Sequence, residues 1–564
     1  MPKEELSESS ALLIASAEDD VVITGESHEE STHEDPSNIA LLKKIRLGAS
    51  TVWRIITLAG PMAASYTFSA MLFTDALLIG RIGHAGYSRV ENANIRLYLA
   101  AIPVINTTLQ TVTIVAISPF YAMSLIGSKR LGNLRKLTTD HATEVELCTE
   151  RQAIRDVFRS GAALSLLLLF PTILAFSFSD EILIAIGIEE NIATLTSEYL
   201  VTYSISIPFF FLRMISEQML FAYGKTFPAM IIGLINFAIG TGTSIYLTFG
   251  RPNMGIHGVA LGYVLESCLT SISFSLFIGL HPDYRPLKLY ALDNFNHKLL
   301  ATLREMLIIG LPITLQIGSE LIIWQLLNTF AAWLGTKDLA AQAFTSQLQF
   351  FAIIPSFAFG QSVSQEVGRA VGASEFTYAS RVARYGLITS AFVVAIPTIL
   401  LASHPEWLGA IITAEELDPS ILTTAQQILP LAAGTIIADT FRYGQIQTLR
   451  ISNQRLTPTV LSILFLSAGL ALSYFLAFTE KLDIVGIIMG PTIGVTLAAL
   501  AIFPIWYKYT TPKAYQEVKE TAQPDRNPGS WLHTCCSFFT NQQEPILEPL
   551  NTQEIQEIQE PMHP

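Results

Sequence analysis

Charge is scarce in this chain. Only 14% of its 564 residues are Asp, Glu, Lys or Arg, where soluble domains carry about 25%. Half the residues are hydrophobic and the mean hydropathy is +0.43. That balance excludes an ordinary soluble globule and indicates an all-α polytopic membrane protein. Cysteine is scarcer still. Cys148 and Cys268 are isolated, and Cys535 and Cys536 are adjacent near the C-terminus, so neither a disulfide framework nor a zinc pattern is expected, and no metal. Net positive charge is lacking too. The chain carries −13 overall, and residues 1–40 hold eleven acids against one base, Lys3. Residues 1–50 therefore read as an acidic, disordered tail, and no nucleic-acid partner is expected. No basic segment followed by an apolar core opens the chain, so no secretory signal is expected. Enzyme motifs are missing as well. Gly224-Lys225-Thr226 hints at a phosphate loop, but the glycine required five residues before Gly224 is Met219.

What is present is a series of apolar stretches, each long enough to cross a hydrocarbon core of about 30 Å. Twelve are expected, at 53–80, 97–126, 156–177, 195–222, 227–249, 255–280, 303–333, 339–368, 383–404, 420–448, 456–478 and 483–507. Their interiors hold Pro61, Pro103, Pro208, Pro312, Pro355 and Pro491, which membrane helices tolerate when neighbours satisfy the freed backbone groups. With both termini cytoplasmic, the inside segments carry 25 Lys and Arg residues and the outside loops six. This alternation is the positive-inside pattern, and a miscount by one span would scramble it.

The chain also repeats itself. LAGPMAASYTF (58–68) parallels IGLPITLQIGS (309–319), and AAIPVINTTLQ (100–110) parallels FAIIPSFAFGQ (351–361). MLFAYGKTFPAMIIG (219–233) parallels TLRISNQRLTPTVLS (448–462), with Pro228 and Pro458 within one residue of each other. Two parallel six-helix lobes are expected, 51–280 and 303–508, joined by a basic linker at 281–302 and followed by a disordered tail at 509–564. A site is expected between them near the midplane.

Several stretches resemble the multidrug and toxic compound extrusion (MATE) transporters. LAGPMAASYTFSAMLFTDALLIGRIG (58–83) is similar to that family's first helix. SQEVGRAVGASE (364–375) is similar to the segment after its eighth, and residues 223–266 to its fifth and sixth. The resemblance covers about 50–507 and implies a cation- or proton-driven antiporter exporting organic, often cationic, compounds. It also resembles a branch with carboxylates in helices one, seven and ten, which here are Asp75, Glu320 and Asp439. Another branch uses Asn and Asp in helix five, where this chain has Gly240 and Ser244. Arg442 stands where glutamine is usual, and Ile451 where glycine is.

A carboxylate within a span is costly, by about 2.5–3.5 kcal/mol on the lenient insertion scale, and such residues mark ion pathways. In low dielectric it holds a proton until water or a cation reaches it, so two occupants exclude one another at one site. Asp75, Glu320 and Asp439 are thus the expected ion- or proton-coupling residues, with H+ or Na+ as coupling ion and no other cofactor. Gln316 and Trp324, one turn either side of Glu320, suggest a polar patch with an aromatic wall suited to an organic cation. With Arg442 and Tyr443 they are the substrate-cavity candidates. Arg442 can instead pair with Asp439 at i+3. Arg213 and Glu217, at i and i+4, are expected to form a structural pair. Glu266 is placed near the interface, and Glu366 with Arg369 at a solvated helix end.

In the tails, Glu8 to Leu13 resembles an acidic dileucine sorting signal, and Cys535-Cys536 is a candidate lipidation site. The expected partners are a small organic substrate and the bilayer, with the chain monomeric. The cell membrane is the expected location, with an endosomal or vacuolar membrane as the alternative. Two other readings compete: a lipid-linked oligosaccharide flippase, which needs a cationic cavity, and a non-transporting scaffold, which needs a packed, dry centre.

Overall fold

The computed structural model describes residues 36–70, 78–79, 94–291, 297–407 and 419–521. Asp75, Cys535 and Cys536 lie outside them. The described residues form a run of helices: α1 (Pro36–Ala70), α2 (Asn94–Ile117), α3 (Tyr121–Thr139), α4 (Glu144–Ser177), α5 (Ser179–Ala185), α6 (Glu190–Ser204), α7 (Ile207–Ala222), α8 (Thr226–Phe249) and α9 (Ile256–Leu280). A turn containing a short 3-10 segment, Arg285–Leu287, follows. Then come α10 (His297–Leu334), α11 (Thr336–Gly372), α12 (Phe376–Ser403), α13 (Pro419–Ile451), α14 (Leu456–Tyr474), α15 (Asp483–Tyr509) and α16 (Pro512–Thr521).

Nine of these stretches are long and apolar enough to cross a membrane, and α6 with α7, bent by 55°, makes a tenth. The bend falls just before Pro208, which lacks the amide that would continue the ladder. Of the other two expected spans, 339–368 lies on α11, which carries Gln342, Gln349, Gln361 and Gln365, and 53–80 lies on α1 as far as Ala70. The protein is thus an all-α, multi-pass integral membrane protein.

The segments expected to lie inside do meet at one face. Ser452 Oγ donates to Tyr509 O at 2.9 Å, Lys519 Nζ to Gly372 O at 2.5 Å, and Arg155 Nε to Leu287 O at 2.9 Å. Three expectations are corrected there. Residues 36–50 are helical, being part of α1. The linker 281–302 is shorter than expected, since α10 begins at His297, and Tyr284 and Leu287 are buried. The expected tail opens with α16, where Ala514 N donates to Thr511 Oγ1 at the helix start and Tyr515 is fully buried.

The repeat is visible in single hydrogen bonds. Ser244 Oγ of α8 donates to Val259 O of α9 at 3.2 Å. Ser473 Oγ of α14 donates to Ile487 O of α15 at 3.0 Å. The first bond joins the fifth and sixth spans, the second the eleventh and twelfth.

The two lobes merge at the α16 face and part away from it. One buried cluster joins residues of both halves near that face, from Phe120 and Leu220 to Val367, Leu449 and Trp506. The far half of the C-terminal lobe has a core of its own, including Leu327, Phe344 and Ile487. Where the lobes merge, α3 and α11 cross at glycines. A methyl group on Gly132 would strike the carbonyl of Arg369, and one on Gly372 would strike the carbonyl of Lys129. Small residues at a crossing let backbones approach closely. On either side, each lobe's cation caps a helix of the other. Lys129 Nζ donates to Ile451 O, at the end of α13, at 2.8 Å. Arg369 Nη1 donates to Ala222 O, at the end of α7, at 2.7 Å. Positive charge at a helix C-terminus is favourable.

Candidate functional site: a cavity between the lobes and its buried charges

Where the lobes part, a cavity of about 450 Å3 opens. Thr107, Gln110 and Thr111 of α2 form one wall. Trp324, Gln325 and Asn328 of α10, Ser346, Gln349 and Ser356 of α11, and Thr435 and Asp439 of α13 form the others. Among the described residues, Asp439 is the one charged side chain in that lining. It lies twelve residues before the end of α13, about 18 Å along the helix from the closed face.

Behind Asp439 runs a chain of polar contacts. Arg442 Nε and Nη2 donate to Asp439 Oδ1 at 2.8 and 2.6 Å, and Nη1 donates to Glu320 Oε1 at 2.8 Å and to Ser462 Oγ. Gln316 Nε2 donates to the same Glu320 oxygen at 3.0 Å. Arg450 donates to Gln316 Oε1 at 2.7 Å and to Gln447 Oε1 at 2.9 Å. The side-chain exposures fall from 28% at Asp439 through 13% at Glu320 to 1% at Arg442. Asp439 faces the cavity, and the guanidinium ties it to the less exposed Glu320 from behind.

The structure thus brings Glu320 and Asp439 together through Arg442 and places Trp324 in the cavity wall. Three cavity candidates are corrected. Gln316 and Arg442 are buried behind the wall, and Tyr443 is buried with its ring against Phe357. Long side chains on α13 lean toward its N-terminus, which carries Arg442 to Asp439 and Glu320 rather than into the opening. Arg450, counted in the sequence as a loop cation, is a buried member of this network. The signal was available, because Asp439, Arg442 and Arg450 fall three and eight residues apart on one helix face.

The N-terminal lobe carries a second buried arginine. In the register that pairs 219–233 with 448–462, Arg213 falls opposite Arg442. Arg213 does not pair with Glu217 as its spacing suggests. Its Nη1 bonds both oxygens of Glu266, at 3.1 and 3.0 Å, and Glu217 instead accepts from Ser65 Oγ at 2.8 Å. An arginine that precedes a glutamate by four residues has the less favourable order for a helix pair, and its side chain points away from it. Glu266 is fully buried, not near the interface, and a methyl on Gly240 would collide with it. Glu366 is corrected too. It is buried, and accepts from Arg54 at 2.5 Å, Arg369 at 2.6 Å and Tyr378 at 2.9 Å.

Two helical lobes, joined at one face and parted around a cavity at the other, define a membrane transporter rather than an enzyme. The MatE family model matches residues 149–245 and 312–475. A probable multidrug resistance protein NorM of Pseudomonas putida is 25% identical over 463 residues, covering 79% of this chain and 92% of the relative. Multidrug and toxin extrusion protein 1 of Rattus norvegicus is 22% identical over 335 residues, covering 59% of this chain and 58% of the relative. Among solved structures, the eukaryotic MATE transporter AtDTX14 superposes with a TM-score of 0.69 at 15% identity, covering 84% of this chain and all of that one. An outward-facing multidrug resistance MATE transporter gives 0.69 at 16% identity, covering 83% of this chain and 97% of that one. In sequence and in fold the chain is similar to the MATE transporters.

Proposed function

We propose that this protein exports organic cations in exchange for H+ or Na+ by alternating access. The observation that carries this reading is Asp439. It is the acidic wall of an inter-lobe cavity and is tied through Arg442 to Glu320. A cation that reaches Asp439 competes with Arg442 and with any proton on the carboxylate pair. The two fluxes then share one site, and the membrane potential contributes about 2.3 kcal/mol per charge per 100 mV. Trp324 supplies an aromatic face at the same wall, and aromatic faces attract desolvated cations. Its relatives' names as multidrug resistance and toxin extrusion proteins support the same assignment.

The flippase reading needs free positive charge in the cavity. Arg213 and Arg442 are each held by carboxylates and buried, and no described basic residue lines the opening. The scaffold reading needs a packed centre, and the cavity argues against it. The loop charges support cytoplasmic termini, so that the closed face with α16 is the inner one and the cavity opens outward. Asp75 joins the coupling residues on sequence grounds alone.

Binding of a fluorescent organic cation to the purified protein tests the reading. Asp439→Asn is expected to weaken it by about tenfold, and equal affinity in the two proteins refutes the assignment.

A further inference from the structure

Glu217 has no part in the reading above, and its surroundings are out of balance. It is fully buried on α7. The nearest cation, Arg213, is engaged by both oxygens of Glu266, which also accepts from Thr270 at 3.1 Å. One arginine therefore faces two glutamates. Glu217 Oε1 accepts from Ser65, while among the described residues Oε2 has no hydrogen-bond partner, nor does Gln218 Nε2. An ionised carboxylate so placed carries a penalty of several kcal/mol. A proton brings the cluster to neutrality. A metal ion would need several oxygen ligands, and the Ser65 hydroxyl already donates to the carboxylate.

The site is also wired to the opposite lobe. Tyr66 and Gln218 directly follow the paired Ser65 and Glu217, and both are held by one residue, Gln361 of α11. Tyr66 donates to Gln361 Oε1. Gln361 Nε2 donates to Gln218 Oε1 at 2.8 Å and to Ser124 Oγ at 3.1 Å. Among the described residues, the ionisable groups facing the site are Arg213, Glu266, Tyr66 and Tyr121.

We propose that Glu217 is a proton-binding site of the N-terminal lobe, occupied while Gln361 holds the lobes together and emptied when they part. Opening removes both holds at once and admits water to Oε2, so the carboxyl ionises. Returning to the closed contact favours the protonated form again. This deepens the antiport reading by giving it a second proton site, remote from the cavity.

The test is infrared spectroscopy of the full-length protein in proteoliposomes, read at the carbonyl band of protonated carboxyl groups. Glu217→Gln is expected to remove one such band at neutral pH, and Glu217→Asp to retain it at a displaced frequency. Glu320→Gln and Asp439→Asn should leave that band in place. Gln361→Ala should make it vanish at a lower pH than in the wild type. A band that persists unchanged in Glu217→Gln overturns the proposal. The band is read without substrate or gradient, so failure of antiport would leave it intact.

Discussion

Lys129 of α3 and Arg369 of α11 make the same contact in opposite directions. Each donates to the last carbonyl of a helix in the other lobe, Lys129 to Ile451 and Arg369 to Ala222. They stand at the same place in SLIGSKRLG (124–132) and SQEVGRAVG (364–372), three residues before the glycines at which the two helices cross. These contacts to backbone carbonyls form a reversible latch, beside the inter-lobe ion pair of Arg54 and Glu366.

Removing both latches should therefore shift the conformational equilibrium rather than unfold the protein. A cation at a helix C-terminus contributes about 0.3–1 kcal/mol, and up to about 2 kcal/mol where partly buried. Lys129→Met with Arg369→Met is expected to raise the population open at the α16 face by roughly tenfold. Distances between spin labels on α3 and α11 report it.

Gly132→Ala and Gly372→Ala act on the same contact by steric exclusion. The added methyl meets backbone, which cannot turn aside. Either substitution is expected to hold the α16 face open and reduce transport more than tenfold while the protein still inserts and folds. Labelling of a cysteine introduced beside the crossing checks it.

Arg442 holds two carboxylates, so its loss differs from the loss of either acid. Breaking a buried ion pair by removing one partner costs about 3–5 kcal/mol. Arg442→Gln should lower the thermal midpoint more than Glu320→Gln or Asp439→Asn does, and adding Glu320→Gln to it should recover part of the loss. Thermal denaturation of the four variants decides it.

Trp324→Ala should weaken binding of a quaternary ammonium by about 5–30-fold, the equivalent of about 1–2 kcal/mol for a cation against an aromatic face. Binding of small inorganic cations should not change. Equilibrium binding of both ligands measures the difference.

Lys519 gives the α16 face a pH dependence. Partial burial and the neighbouring Lys136 push its ammonium down to about 8. Between that value and the ordinary lysine range the unfolded chain binds more protons, so stability rises with pH there. Lys519→Met should flatten this rise in the thermal midpoint above about pH 8.

The spans and their alternation were legible because apolar length and loop charge are local properties. Glu320 and Asp439 were legible because a carboxylate in an apolar run is conspicuous. Partner choice was not. Arg213 has an acid four residues away, yet bonds Glu266, 53 residues on, because side-chain direction on α7 and the space left by Gly240 decide the matter. Gln361 gave no signal at all, since an amide is unremarkable until Tyr66 and Gln218 arrive from the other lobe. The helix α16 was hidden in a polar tail because only two of its described residues, Ala514 and Tyr515, are buried.

The central claim is tested most directly by uptake of a labelled organic cation into proteoliposomes, first under an imposed pH gradient and then under a sodium gradient. Accumulation driven by one of the two, and lost in Glu320→Gln and Asp439→Asn, is the predicted result. Accumulation that ignores both gradients, or that survives both substitutions, would contradict the account.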